Sequence, residues 1–172
     1  MKGKLAVRNI KFAGVFLVVF STLQLGYLKM SGTWFEDRLI IEGTVRPATW
    51  VINQLSSSTR AIAAGRTIVS DQGSLAVLAG CEGTEGMLLL IAAFIAVPGN
   101  FFRRSTGMLA GILLLYGFNQ LRIVGLFFAH QSAPKLFGLL HGYVAPTLLI
   151  VTACLFFLAW LTPNSIVEYA EN

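Results

Sequence analysis

Residues 107–128 read GMLAGILLLYGFNQLRIVGLFF, an apolar run of the length that a helix needs to cross a bilayer. A hydrocarbon core about 30 Å thick takes about 20 helical residues. The four predicted transmembrane helices cover residues 12–28, 84–102, 107–128 and 139–161. The 172 residues are 55% hydrophobic and 12% charged, with a mean hydropathy of +0.71. The sequence therefore predicts an all-α integral membrane protein, a four-transmembrane-helix bundle in a single membrane domain, residues 1–172.

Positive charges set the expected orientation of this bundle. Arg103 and Arg104 follow the second helix, and the first helix is preceded by Lys2, Lys4, Arg8 and Lys11. Because cytoplasmic loops carry the excess of such residues, both termini are expected in the cytoplasm and residues 31–83 outside it. The first segment lacks a convincing cleavage site near Ser21, so it is interpreted as an uncleaved helix. The net charge of +5 is scattered beside the apolar runs, which disfavours nucleic-acid binding.

The extracytoplasmic segment, residues 31–83, has two recognisable parts. From Thr44 to Ala64 apolar side chains recur at helical spacing with polar residues between them, which predicts a helix lying in the membrane interface. Residues 66–70 and 74–78 flank Asp71-Gln72-Gly73, a short connection that ends in glycine, and they predict a small β-hairpin. The hairpin is expected to deliver Cys81 to the membrane surface.

Three side chains that carry chemistry converge on the outer leaflet in this topology. Cys81 precedes the second helix, and His141 opens the fourth, whose first turns Pro146 is expected to bend. Arg122 lies about 22 Å along a helix that starts at Gly107 on the inner face, and so near the outer edge of the core. A thiol, an imidazole and a guanidinium in one place suit a nucleophile, a base and an anion binder.

The two cysteines are expected to differ in role. Cys154 lies about 22 Å down the fourth helix, too far to pair with Cys81, and is interpreted as core packing. An unpaired outer thiol is either a reactive group or a small buried hydrophobe, and the residues alone leave both open for Cys81. The positive end of the second helix and the charge of Arg122 favour a thiolate, whereas Glu82 and Glu85 oppose it.

Arg122 and His141 each have an alternative. Arg122 either snorkels to the lipid headgroups or forms, with Asn119 and Gln120, an intramembrane polar cluster that faces the protein interior and marks function. The cluster favours function. His130 also lies on the outer side, but it is expected in a short loop, whereas His141 enters the membrane and can be held rigidly near the thiol.

These residues carry a resemblance to a known family. Cys81-Glu82-Gly83, then Asn119-Gln120-Leu121-Arg122-Ile123, then His141 at the head of the last helix resemble the exosortase/archaeosortase family of membrane cysteine transpeptidases. The short chain and the run Cys-x-Gly-x-Glu-Gly-Met-Leu-Leu-Leu are most similar to the exosortase H branch. The resemblance covers about residues 65–160. Glu82 stands where the commoner family form has serine, and many members carry more helices.

The resemblance implies a function in protein sorting. The protein would cleave the C-terminal sorting tail of secreted proteins at the outer face of a bacterial cytoplasmic (inner) membrane, and transfer them to an acceptor through a cysteine acyl-enzyme. Cys81 would be the nucleophile, His141 the acid and base, and Arg122 the group that stabilises thiolate or oxyanion, oriented by Asn119. Expected partners are secreted substrates with a C-terminal sorting signal and membrane lipid; the acceptor is unidentified, and no nucleic acid is expected.

Two other functions remain open at this point. A non-enzymatic assembly factor or small-solute carrier would use Arg122 and Asn119 only to hold the bundle together. A purely hydrolytic membrane peptidase would pass the same acyl-enzyme to water. The sequence carries no metal-ligand cluster, phosphate loop or cofactor fingerprint, so neither a metal nor a cofactor is expected.

Overall fold

A computed structural model describes residues 2–56 and 58–170 of the chain, with side chains from residue 9 to residue 161 except that of Pro134. The predictions that involve Ser57 and the side chains of Lys2, Lys4 and Arg8 lie outside the described residues. In chain order the elements are α1 (Lys2–Met30), α2 (Trp34–Ile40), a first π-helical turn (Ile41–Val45), α3 (Arg46–Leu55), β1 (Ile62–Ala64), β2 (Thr67–Ser70), β3 (Gly73–Ala76), α4 (Thr84–Ala96), α5 (Phe101–Ser132), α6 (Pro134–Leu139), a second π-helical turn (Leu140–Val144) and α7 (Ala145–Ala170).

Among the described residues, three helices are long and apolar enough to cross a membrane: Asn9–Met30, Phe101–Ser132 and Lys135–Leu161. They correspond to the first, third and fourth predicted helices, and each is longer than predicted. The second, α4, has 13 residues and so is about 20 Å long, shorter than the hydrocarbon core. A crossing by α4 therefore stays a prediction, while a multi-pass membrane protein is established by the other three.

The predicted boundary between the second and third helices was wrong. Helix α4 stops at Ala96 rather than at residue 102, because Val97 precedes Pro98 and the residue before a proline is disfavoured in the α region. Helix α5 begins at Phe101 rather than at residue 107. Asn100 caps that start, since its side chain accepts a hydrogen bond of 2.9 Å from the backbone N–H of Phe102.

Helix α4 is the centre of the bundle and packs against α1, α5 and α7. One apolar core joins α4, α5 and α7 and contains Leu90, Phe94, Leu115, Leu149 and Ala153. Glycines let these helices approach closely: a Cβ at Gly86 would clash with Leu149, and one at Gly111 with Leu90 and Phe156. Small residues at such contacts are the usual means of packing helices in membranes.

A second apolar core lies between the segment of residues 31–83 and the C-terminal half of α5. Its buried members include Ile40, Val45, Ile52, Ile68 and Val77 from the segment, and Ile123, Val124, Leu126 and Phe127 from α5. We call residues 31–80, which build it and are predicted to lie on the outer side, the outer cap. The cap therefore sits on the end of α5 that extends beyond the bundle.

The interfacial helix predicted over residues 44–64 was wrong at both ends. Helical structure runs without a break from Trp34 through the first π-helical turn to Leu55. Ile62 was assigned to the apolar face of that helix, but it lies in β1, where 62% of its surface is exposed. The apolar spacing had been extended over a strand that follows the helix.

The predicted hairpin is confirmed by the pairing of β2 with β3, which are antiparallel, with Ser70 opposite Gly73. Strand β1 adds to its other edge and gives a sheet of order β1-β2-β3, which the sequence had not predicted. Arg66 fastens this sheet to α2: its Nη2 lies 2.8 Å from Glu36 Oε2 and its Nε 2.7 Å from Asp37 Oδ1. The bond from Arg66, with others from Gly32 N–H and the Ser31 hydroxyl, holds the pKa of Glu36 below its ordinary value.

Each π-helical turn is followed two residues later by a proline, Pro47 or Pro146. Proline has no backbone N–H, and its ring crowds the carbonyl four residues before it, so a widened turn relieves the contact. At Pro47 that carbonyl is Gly43, which accepts a hydrogen bond of 2.9 Å from Gln120 Nε2 instead. The bend expected at Pro146 takes the form of the second π-helical turn, and this turn contains His141.

Candidate active site

Cys81 lies in the short loop that connects the cap to α4. Its backbone N–H donates a 3.0 Å hydrogen bond to Leu78 O, which closes a turn as the chain leaves β3. Gly80 and Gly83 on either side have positive φ values of 88° and 79°. The thiol is half-buried and packs against the core shared by the cap and α5.

Cys81 and His141 line the same cavity of about 180 Å³. Its walls are the chain that leaves β3, Ile123 and Leu126 of α5, and Phe137 of α6. The His141 ring stacks on Phe137, with ring centroids 5.5 Å apart and planes 6° from parallel. Its Nδ1 is buried and makes no hydrogen bond within the described part of the chain. The structure therefore brings a thiol and an imidazole to one cavity.

Arg122 lines an adjacent apolar groove of about 350 Å³ between α5 and the helix that contains His141. Leu126 belongs to the walls of both the cavity and the groove. Because α5 begins at Phe101, Arg122 lies about 32 Å along it rather than the predicted 22 Å, which is about two-thirds of the length of the helix. Its Nε is buried and unbonded among the described residues. Arg122 is thus in the wall of a groove that adjoins the cavity at Leu126.

Asn119 is fully buried and packs against the loop that carries the thiol. A Cβ built on Gly83 would lie 2.8 Å from Asn119 Cγ and 3.0 Å from its Oδ1. Neither Oδ1 nor Nδ2 has a hydrogen-bond partner in the residues that the structure describes. The expected bond from Asn119 to Arg122 is therefore not formed here, and Asn119 instead supports the backbone two residues beyond Cys81.

Glu82 and Tyr27 form a pair that the sequence did not indicate. Only 4% of the surface of Glu82 is exposed, and its Oε1 accepts a hydrogen bond from the hydroxyl of Tyr27 in α1. Its Oε2 is buried with no partner among the described residues. A carboxylate inside the Cys81 loop was a visible signal, but its partner is 55 residues away and only the fold brings them together.

Two expectations about rival residues were wrong. His130 lies in the last turn of α5, not in a loop, and it contacts the edge of Phe137 with ring centroids 5.0 Å apart. It remains exposed, outside the cavity that His141 lines. Cys154 is exposed on α7 rather than packed in the core. Cys81 is thus the thiol that the fold places at a cavity.

Comparison with known proteins gives one family. The family described as transmembrane exosortase matches residues 1–161. No curated protein and no solved structure matches the chain.

The contact between Gly83 and Asn119 gives a test of how the Cys81 loop is positioned. Gly83→Ala introduces a positive-φ alanine, which costs about 1–2 kcal/mol, and a clash worth about 1–3 kcal/mol more. Gly80→Ala carries the first cost alone, because a Cβ there meets nothing within 4 Å. We expect a larger fall in thermal midpoint for Gly83→Ala, and faster maleimide labelling of Cys81 in a Cys154→Ala background.

The same pair provides the control. In an Asn119→Ala background the contacts with Cγ and Oδ1 are removed and only the 3.1 Å approach to the Cβ of residue 119 remains, so the extra cost of Gly83→Ala over Gly80→Ala should become smaller. Equal losses for the two glycine variants in the presence of Asn119 would show that Asn119 does not position the loop.

Proposed function

This chain belongs to the transmembrane exosortase family, and we propose that it is a cysteine transpeptidase that cuts the C-terminal sorting tails of secreted proteins. Cleavage takes place at the outer face of the cytoplasmic membrane, and the secreted protein is passed to an acceptor. The observation that carries this proposal is the shared cavity of Cys81 and His141, with Arg122 in the groove beside it.

The proposed reaction has two transfers. The Cys81 thiolate attacks the scissile carbonyl carbon, and the tetrahedral intermediate collapses with loss of the tail amine, which His141 protonates. This leaves a thioester between Cys81 and the secreted protein. His141 then takes the proton of the incoming acceptor, whose attack on the thioester carbonyl releases the Cys81 thiolate. No redox change or cofactor is needed.

Arg122 supplies the positive charge in this proposal. A guanidinium stabilises both a thiolate and the oxyanion of a tetrahedral intermediate. Its Nε is a buried donor that makes no hydrogen bond with the described residues of the chain. A buried donor without a partner costs about 1–3 kcal/mol, so its retention supports a role in binding or catalysis.

Substitution of the two cysteines tests whether Cys81 is the nucleophile. Cys81→Ala and Cys81→Ser should abolish tail removal while the protein still accumulates in the membrane, because the thiolate is lost but little packing is. Cys154→Ala should be nearly silent, since Cys154 is exposed and far from the cavity. Mass spectrometry of the C-termini of secreted and membrane proteins would show tail-bearing precursors in Cys81→Ala cells only.

The same experiment separates the other functions. Full processing in Cys81→Ala cells would favour a non-enzymatic membrane protein and overturn the proposal. Trimmed products without added mass would indicate hydrolysis in place of transfer. Equal loss in the Cys81 and Cys154 variants would argue against a single nucleophile.

A lysine at position 122 tests whether the guanidinium of Arg122 takes part in catalysis. Arg122→Lys replaces a planar fork by a point charge on a different stem. We expect at least about a hundredfold loss of processing rate, the scale of removing one oxyanion donor. The measurement is the rate of tail cleavage at equal membrane levels of the two proteins, and a near wild-type rate would reduce Arg122 to a structural role.

Alanine variants distinguish the roles of His130 and His141, which both contact Phe137. His141→Ala should lower turnover by about 100-fold or more, because acid–base catalysis typically contributes that much. His130→Ala should keep most of it, since His130 is exposed outside the cavity. Cleavage assays on both variants test this, and the reverse pattern would move the acid–base role to the end of α5.

A further inference from the structure

The groove beside the candidate site is apolar except at Arg122. It lies between α5 and the start of α7, and of the described residues that line it Arg122 alone has a polar side chain. Along α7 it continues into a mostly apolar, shallower depression at Val144, Leu148 and Val151, which Tyr143 and Thr147 also line. An apolar surface of this length is suited to an extended apolar occupant rather than a small polar molecule.

The groove opens toward lipid. Leu121 and Leu148 lie on helices that can span the membrane, and 64% and 52% of their surfaces are exposed. An occupant would therefore enter sideways from the bilayer. Segments that come from the bilayer bring their own satisfied backbone, as helices do.

Small residues on both sides make room for a helix backbone. Gly125 of α5 and Ala145 of α7 both line the groove, and a Cβ built on Gly125 would meet nothing within 4 Å. Close approach of backbones at small residues is what favours helix packing in membranes, and a lipid chain does not require it. This observation favours a helix over an acyl chain.

The end of the groove at Leu126 and Leu140 meets the candidate catalytic cavity. Leu126 lines both, and Leu140 of the groove directly precedes His141 of the cavity. Arg122 lies one helical turn before Leu126 in the wall of the groove, and a guanidinium donates hydrogen bonds to carbonyl oxygens such as those of a passing peptide. A peptide that leaves the groove at this end therefore arrives at Cys81.

We propose that this groove seats the outer end of the substrate's own transmembrane helix, so that the segment just before the helix passes Arg122 and reaches Cys81. This inference rests on the proposed function, since it assumes a substrate with a membrane-spanning tail. It adds where that tail binds and which residues select it.

Two glycines of α5 give a matched pair of variants. Gly125→Leu fills the groove, whereas Gly117→Leu adds the same side chain on the same helix, also into open space, but outside the groove. Leucine favours helix at both positions, so neither change should unfold the protein, and equal thermal midpoints verify this. The probe is a synthetic tail peptide with its membrane helix, chosen from tails that Cys81→Ala cells retain, in lipid nanodiscs.

The expected result is a rise in KM of about tenfold for Gly125→Leu with kcat unchanged, because binding and not chemistry is blocked. Gly117→Leu should match the wild type. Equal KM values for the two variants, or a loss of kcat alone in Gly125→Leu, would overturn the groove proposal.

Cross-linking identifies the occupant directly. A benzophenone amino acid replaces Leu148 in the groove or Ile150, which faces away from it and is equally exposed at 50%. Both are placed in the Cys81→Ala protein, which binds the tail without cleaving it. The tail should cross-link at position 148 and not at 150; lipid adducts alone at 148, or equal tail adducts at both positions, contradict the proposal.

The proposal and the function on which it rests fail differently. Cleavage of the tail peptide by the Cys81→Ala protein would remove the proposed function and this inference together. An inactive Cys81→Ala protein, combined with equal KM values for Gly125→Leu and Gly117→Leu, would leave the function intact and remove the groove alone.

Discussion

The length of α5 is the constraint on which the rest of the structure depends. Its 32 residues extend about 48 Å, while the hydrocarbon core is about 30 Å thick, so one end must leave the lipid. That end has an apolar face, formed by Ile123, Val124 and Phe127, which needs cover from water. The outer cap supplies it. Because the cap packs there, the chain that leaves β3 returns to α5 just before α4 begins, and Cys81 is held against the side of α5.

The candidate site lies at the seam between the two apolar cores. Polar atoms there are buried without partners among the described residues: Arg122 Nε, His141 Nδ1 and Glu82 Oε2. Each such atom costs about 1–3 kcal/mol, and a fold selected for stability alone would not collect them in one place. Two prolines affect the same seam. Pro47 has no N–H to donate to Gly43 O, which accepts a hydrogen bond from Gln120 instead, and Pro146 follows the widened turn that contains His141. Two residues of the polar cluster predicted on α5 thus make separate contacts. Gln120 donates a hydrogen bond to Gly43 in the outer cap, and Asn119 packs against Gly83 in the Cys81 loop.

Apolar length, turn glycines and the order of segments are local signals, and they were enough to predict the membrane bundle, the β2–β3 hairpin and the meeting of Cys81 with His141. Other features depend on tertiary contacts. The polar residues at both ends of α5 resembled loops in sequence. At its start the side chain of Asn100 caps the helix, and near its end the outer cap packs against it. Strand β1 has three exposed residues and no apolar alternation to indicate it. Cys154 was misplaced because a lipid-facing helix surface is as apolar as a core, and the Tyr27–Glu82 bond joins elements far apart in sequence.

In the proposed mechanism Cys81 carries the secreted protein as a thioester between cleavage and transfer. The direct measurement is mass spectrometry of the protein after brief incubation with a tail-bearing substrate, quenched at low pH to preserve thioesters. We expect a hydroxylamine-sensitive adduct on the peptide that contains Cys81, with the mass of the acyl part of the substrate, and none on Cys154. Rapid tail cleavage with no adduct on Cys81 and undiminished rate in Cys81→Ser would contradict it.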